Sequence, residues 1–181
     1  PESAGGVFVQ GGTIGNLSAL VTAREDARAK FPDVTKWAIA CSAEAHSSIA
    51  TAAKIMDVEL VKIAPRDDLR IHGDDIAAAI DQYHATNTGR ICAVVATSGT
   101  TNLGVIDDLV GAGKAAHDRN IWFHVDGAYG LAGLCAPSVR PLFSGVELCD
   151  SFIVDPHKWL FAPFDACALI YRNPKLAKRA H

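Results

Sequence analysis

What most limits how this chain can fold is an alternation that runs its whole length. Short apolar, β-rich runs are each followed by a turn and then by residues at helical spacing. Extended runs fall at residues 6–10, 36–41, 59–63, 91–97, 121–126, 152–154 and 166–171, and helical segments at 14–30, 47–56, 74–84 and 107–119. Leu17, Leu20, Val21, Ala27 and Phe31 carry the helical spacing of the first segment. Asp74 reads as the N-cap of the third. Strands and helices in alternation build a mostly parallel central sheet flanked by helices, so the fold class is α/β. No repeat, low-complexity stretch or linker interrupts the pattern, and 181 residues suffice for one domain with a real core.

An open α/β sheet binds ligands outside the carboxyl ends of its strands, and polar residues collect there. Thr13 follows the first run, Thr100 and Thr101 follow residues 91–97, and Asp126 closes 121–126. Lys158 follows residues 152–154, beyond the break at Pro156. One shared site accounts for them all. A lysine amine withdrawn from water loses its proton more readily, and the neutral amine forms Schiff bases with carbonyls. Taken alone, a lysine after a strand is more often an ordinary surface residue. Gly11-Gly12-Thr13 at a helix start suits an anion, because free N–H groups and the positive end of the helix dipole face it. A tight turn with Thr13 as N-cap explains the same residues. The stretch is neither a P-loop nor a Gly-x-Gly-x-x-Gly turn. Asp126 ends a run that otherwise reads as core, and a buried carboxylate needs a cationic or hydrogen-bonding partner, whether ligand or structural ion pair. Ala128 is small enough for a flat ring to lie against the backbone. His46, before Ser47-Ser48, reads by itself as a surface histidine.

The net charge of -3 offers no field for nucleic acid or an anionic membrane, and no apolar run approaches membrane-spanning length. The basic stretch 172–181 reads as a solvated helix face. The five cysteines show no Cys-x-x-Cys spacing and mostly adjoin apolar runs, so reduced core thiols in a cytoplasmic protein are expected, without a signal peptide. The chain opens at Pro1 without a methionine and ends in what reads as a starting helix, and is expected to be a piece of something longer.

Five stretches together carry a family resemblance: Gly11-Gly12-Thr13 with Asn16-Leu17, Ala45-His46-Ser47-Ser48, Gly99-Thr100-Thr101, His124-Val125-Asp126-Gly127-Ala128-Tyr129 and Pro156-His157-Lys158-Trp159. In this order they resemble the pyridoxal-phosphate-dependent group II amino-acid decarboxylases, of the aromatic amino-acid and glutamate decarboxylase kind. The resemblance implies a fold-type I large domain of which residues 1–181 are the central part, with the family's N-terminal segment and C-terminal small domain absent. The family's mobile loop with its catalytic tyrosine has no counterpart either. It implies pyridoxal 5'-phosphate as cofactor, held on Lys158 as an internal aldimine, and no metal. Asp126 would pair with the pyridine nitrogen, Ala128 would lie under the ring, and His46 would stack on its other face. Gly12, Thr13 and His157 would help hold the phosphate, and Thr101 would lie near the cofactor's polar groups. His46 and Lys158 are both placed to pass a proton. Some aromatic decarboxylases have Asn where this chain has Asp155, and an anionic side chain repels a phosphate, so Asp155 receives no phosphate role.

The implied reaction is decarboxylation of an L-amino acid to its amine and CO2, in amino-acid metabolism, by a homodimer with sites at the subunit interface. The carbanion left at Cα needs an electron sink, which a protonated pyridinium supplies. Trp159 points toward aromatic substrates. One alternative keeps the cofactor but changes the reaction, to a carbon–carbon lyase or a decarboxylating aldehyde synthase; His46 argues against the latter, some members of which have Asn there. A second alternative is a nucleotide- or metal-binding module using His124 and Asp126, although that pair lacks an evident third ligand.

Overall fold

A computed structural model describes residues 3–181, so the unit read as 1–181 begins two residues outside the described part. From the start of the chain come β1 (Gly5–Val9), α1 (Gly12–Lys30), β2 (Trp37–Ser42), α2 (Ser47–Ile55), β3 (Glu59–Ile63) and α3 (Gly73–Thr86). They are followed by β4 (Arg90–Thr97), α4 (Leu109–His117), β5 (Trp122–Asp126), β6 (Ser151–Val154), β7 (Cys167–Tyr171) and α5 (Pro174–Ala180). The seven strands form one sheet in the order β1-β7-β6-β5-β4-β2-β3. Neighbours from β3 through β6 pair in parallel, whereas β7 runs antiparallel to both β6 and β1. β1 therefore points the same way as β6, and its carboxyl end reaches the same edge as those of β4, β5 and β6.

The central strands β2, β4 and β5 are buried on both sides, which explains why β4 reads as nearly continuous apolar sequence. On one face α1 lays Ala19, Leu20, Ala23 and Ala27 against Trp37, Ile39, Val95, Trp122 and Ile153, joined by Ile49, Ala52 and Ala53 of α2. The run of alanines lets α1 approach the strands closely. On the other face Ile76 and Ile80 of α3 and Leu109, Ala112 and Ala116 of α4 cover Val94, Phe123 and Val125. β5 thus sends Phe123 and Val125 to one layer and Trp122, His124 and Asp126 to the other, following its period of two.

Several ends differ from the sequence reading. The N-cap of α1 is Gly11, at φ 85°, so Thr13 lies inside the helix rather than capping it. α3 starts after His72, whose backbone N–H donates to Asp75 at 3.3 Å, so Asp74 is not the cap. α4 begins at Leu109, because Asp108 caps it by accepting from the Gly111 N–H at 2.9 Å. Asp107 stands outside it, accepting from the N–H groups of Thr97 (2.8 Å) and Ile71 (3.1 Å). Four of the cysteines are buried and free, whereas Cys135 is exposed and departs from the core reading. Burial pushes the thiols of Cys41, Cys92 and Cys149 up to about 12. No helix of the described residues is long and apolar enough to cross a membrane.

Candidate active site

Along the carboxyl edge lies a cavity of about 240 Å³. Its wall brings together Gly12 and Thr13 from the start of α1, His46 from the turn before α2, and Thr101 from the loop after β4. Asp126 at the end of β5, Ala128 just beyond it and Lys158 after β6 complete that set. His157 is not on the wall. Its ring is held from behind, where Nδ1 accepts the Ala166 N–H at 2.9 Å and Phe164 packs at a centroid distance of 4.9 Å.

The lysine is less withdrawn than the sequence suggests. Its side chain is 37% exposed, and Nζ lies 2.9 Å from Oδ2 of Asp155. Asp155 is itself buried; its Oδ2 is 3.7 Å from His157 Nε2, and its Oδ1 has no hydrogen-bond partner among the described residues. Asp155 thus serves Lys158 directly, a pairing that sequence inspection did not anticipate.

Asp126 sits deeper, with 4% of its surface exposed. Oδ2 accepts from the Asn16 side-chain amide at 2.9 Å and Oδ1 from the Ala128 N–H at 3.2 Å. Burial raises its pKa above the ordinary 3.8, the Ala128 and Asn16 donors countering only part of that effect. Both hydrogen-bond partners are neutral. A buried carboxylate so placed has no cation hydrogen-bonded to it, and the charges of His46 and Lys158 nearby offset only part of its desolvation. A protonated ring nitrogen arriving through the cavity would be such a cation. The start of α1 offers the complement. No side chain caps its first turn, and Gly12 and Thr13 face the cavity, so their N–H groups and the helix dipole are free for an anionic group. A flat heterocycle carrying a phosphate therefore fits the groups present.

Behind Asp126 lies a set of polar side chains to which the family resemblance gave no role. Asn16 also donates to Ser48 Oγ at 2.9 Å, and its Oδ1 meets His124 Nε2 at 2.9 Å. His124 Nδ1 meets Ser151 Oγ at 2.8 Å, and Trp122 Nε1 donates to the same oxygen at 2.9 Å. Both ring nitrogens of His124 are thus engaged by protein, and desolvation pushes its pKa down to about 3. The visible signal was a run of polar residues at every second position of an apolar strand, His124 and Asp126, facing a helix with one internal Asn.

The whole described chain, and the first two residues with it, matches the pyridoxal-dependent decarboxylase conserved domain over residues 1–181. It is 33% identical to an aromatic-L-amino-acid decarboxylase of Bacillus atrophaeus, across 98% of this chain and 37% of that protein. It is 39% identical to an L-2,4-diaminobutyrate decarboxylase of Rhizobium meliloti (strain 1021), across 96% of this chain and 35% of the relative. Among solved structures, the 4-hydroxyphenylacetaldehyde synthase of Rhodiola rosea superposes with a TM-score of 0.93 at 29% identity, covering 98% of this chain and 39% of that one. The chain spans well under half the length of each of these three.

Proposed function

This chain belongs to the pyridoxal-dependent decarboxylase family, and from that premise we propose that its protein removes the α-carboxylate of an L-amino acid as CO2, leaving the amine. The observation that carries this reading is Asp126, a buried carboxylate with only neutral partners, at the wall of a cavity that also holds a lysine amine. Pyridoxal 5'-phosphate, when bound, supplies the electron sink that decarboxylation requires. The remaining work belongs to the chain. Asp126 holds a proton on the ring nitrogen opposite its carboxylate. Gly12 and Thr13 hold the phosphate through the open N–H groups of α1, and Thr101 stands by the cofactor's other polar groups. Ala128 and His46 would bracket the ring, and His46 and Lys158 would be the groups that move a proton at Cα. Lys158 would hold the cofactor, and in the cofactor-free chain its ammonium donates to Asp155 Oδ2 at 2.9 Å. His157 supports Asp155 from behind the wall.

An aromatic substrate is supported by Tyr129, which lines the cavity with Trp159 packed edge-on at 5.4 Å. The relatives include a diaminobutyrate decarboxylase and the structural neighbours an aldehyde synthase, so acidic, basic and aromatic amino acids all belong in the first screen, with amine and aldehyde both measured. Assembly as a homodimer in the cytoplasm forms part of the same proposal. The exposed side chains of Phe8, Phe161 and Phe164 are what supports the dimer, because apolar surface of this kind marks contact sites.

Borohydride treatment of the full-length protein with pyridoxal 5'-phosphate tests the reading. Peptide mapping should find the reduced cofactor on Lys158, and Lys158→Ala should remove both the label and the decarboxylation. Cofactor recovered at another lysine, or no label at all, overturns the assignment.

A further inference from the structure

We infer that Asn16 is a positioning residue for this site, one carboxamide that fixes the direction in which Asp126 presents its carboxylate to the cavity. The inference rests on the decarboxylase reading and deepens it. Its warrant is that the buried cluster around Asn16 admits a single arrangement of protons. At one end Asp126, ionised when a cationic ring nitrogen faces it, can only accept, so Asn16 must turn its NH2 group toward Oδ2, 2.9 Å away. At the other end Trp122 Nε1–H can only donate, and it donates to Ser151 Oγ at 2.9 Å. Between these ends the rest follows. Asn16 Oδ1 faces His124, so the Nε2 of that ring carries the hydrogen and donates at 2.9 Å. His124 Nδ1 then accepts the Ser151 hydroxyl at 2.8 Å.

The second hydrogen of the Asn16 amide goes to Ser48 Oγ at 2.9 Å. Ser48 in turn donates its backbone N–H to His46 Nδ1 at 3.1 Å, with its Oγ 2.9 Å from the same nitrogen. That leaves the hydrogen of a neutral His46 on Nε2. One amide therefore joins the two side chains proposed to hold the ring and to move a proton, and every hydrogen-bonding atom of that amide is used. Asn16, His124 and Ser151 are buried to within 1% of full enclosure, so water cannot replace a lost partner.

The test compares Asn16→Leu, which keeps the number and branching of the side-chain heavy atoms, with Thr22→Val, in the full-length protein. Thr22 is another buried polar residue of α1, and it pairs with Tyr171 rather than with the site. Losing a hydrogen bond to a charged group should weaken cofactor binding by roughly 10- to 100-fold in Asn16→Leu. The turnover number should fall by more than KM changes, because alignment matters most in the transition state. Thr22→Val should show neither effect at a comparable loss of melting temperature. Equal changes in the two variants overturn the inference. If Asn16→Leu does not fold, nitrogen NMR on the unmodified protein still decides, since His124 must carry its hydrogen on Nε2, and finding it on Nδ1 refutes the arrangement. Absence of borohydride labelling at Lys158 in the unmodified protein counts against the decarboxylase reading itself; labelling with unchanged cofactor affinity in Asn16→Leu counts against Asn16 alone.

Discussion

At Asp126 stability and function pull in opposite directions. Burial raises the carboxyl's pKa above its ordinary 3.8, so in the cofactor-free protein the folded state binds this proton more tightly than the unfolded chain does. The sign follows from linkage. Where the folded state holds more protons, stability falls as pH rises, here through the window from about 4 upward to the raised value. The melting temperature of the cofactor-free protein, taken relative to that of Asp126→Asn, should therefore decline as pH rises above the ordinary carboxyl value of 3.8. A flat difference in calorimetry across that range would remove the argument. Saturating cofactor should reverse the slope, because a cationic ring nitrogen favours the ionised carboxylate. Asp126 and Lys158 were legible in the sequence because each breaks a local rule, one as a charge closing a core strand and the other as an amine beyond a strand's end. Asn16, Ser48 and Ser151 break none. A small polar residue in a helix or strand is ordinary, and only the tertiary contact gives it a task. His157 neighbours Lys158 in sequence, and its Nδ1 accepts the Ala166 N–H behind the cavity wall.

Among the elements, the segment joining β4 to α4 bears most directly on the site. Gly99 lines the cavity at φ 96°, and a Cβ there would meet the Cα of Gly130 at 2.7 Å. A side chain is excluded both by backbone conformation and by the neighbouring loop. Gly99→Ala should cost about 1–3 kcal/mol of stability and loosen cofactor binding, read from chemical denaturation and from titration of the cofactor. Asp107 ties the same segment to the strand, its two oxygens accepting from Thr97 and Ile71. Asp107→Ala leaves two buried N–H groups without a partner and should cost about 2–5 kcal/mol. An unchanged denaturation midpoint would show that water fills the gap. The helix boundaries that the sequence misplaced have the same root. Periodicity locates a helix, but caps are chosen by whichever side chain reaches the free N–H groups. Asp108, not Asp107, does so for α4, because Asp107 is drawn away to β4. At α1 a glycine at positive φ takes the cap position and leaves the N–H groups open to the cavity.

For the molecule as a whole, alternation was enough to read the parallel part of the sheet, and not enough for its last third. β6 and β7 are joined by residues 155–166 without a helix to carry the chain back across the sheet, and β7 turns back antiparallel with β1 adding outside it. Where β1 docks depends on pairing across the length of the chain, to which local pattern is blind. That connection also carries the largest exposed apolar side chains, Phe161 at 90% and Phe164 at 83%, while Phe8 on the edge strand β1 is 72% exposed. The chain covers 35% of its Rhizobium relative, and side chains this apolar are surfaces for further protein to cover. Expressed alone, residues 1–181 should bind a hydrophobic dye and associate as concentration rises. Phe161→Ser with Phe164→Ser should reduce both effects in sedimentation and fluorescence. In the full-length protein the same pair should weaken self-association instead, and should loosen cofactor binding with it, since the residues follow Lys158 by only a few positions. If the paired substitution changes neither dye binding nor sedimentation of the short chain, these phenylalanines are not the surface through which it meets the rest of the protein.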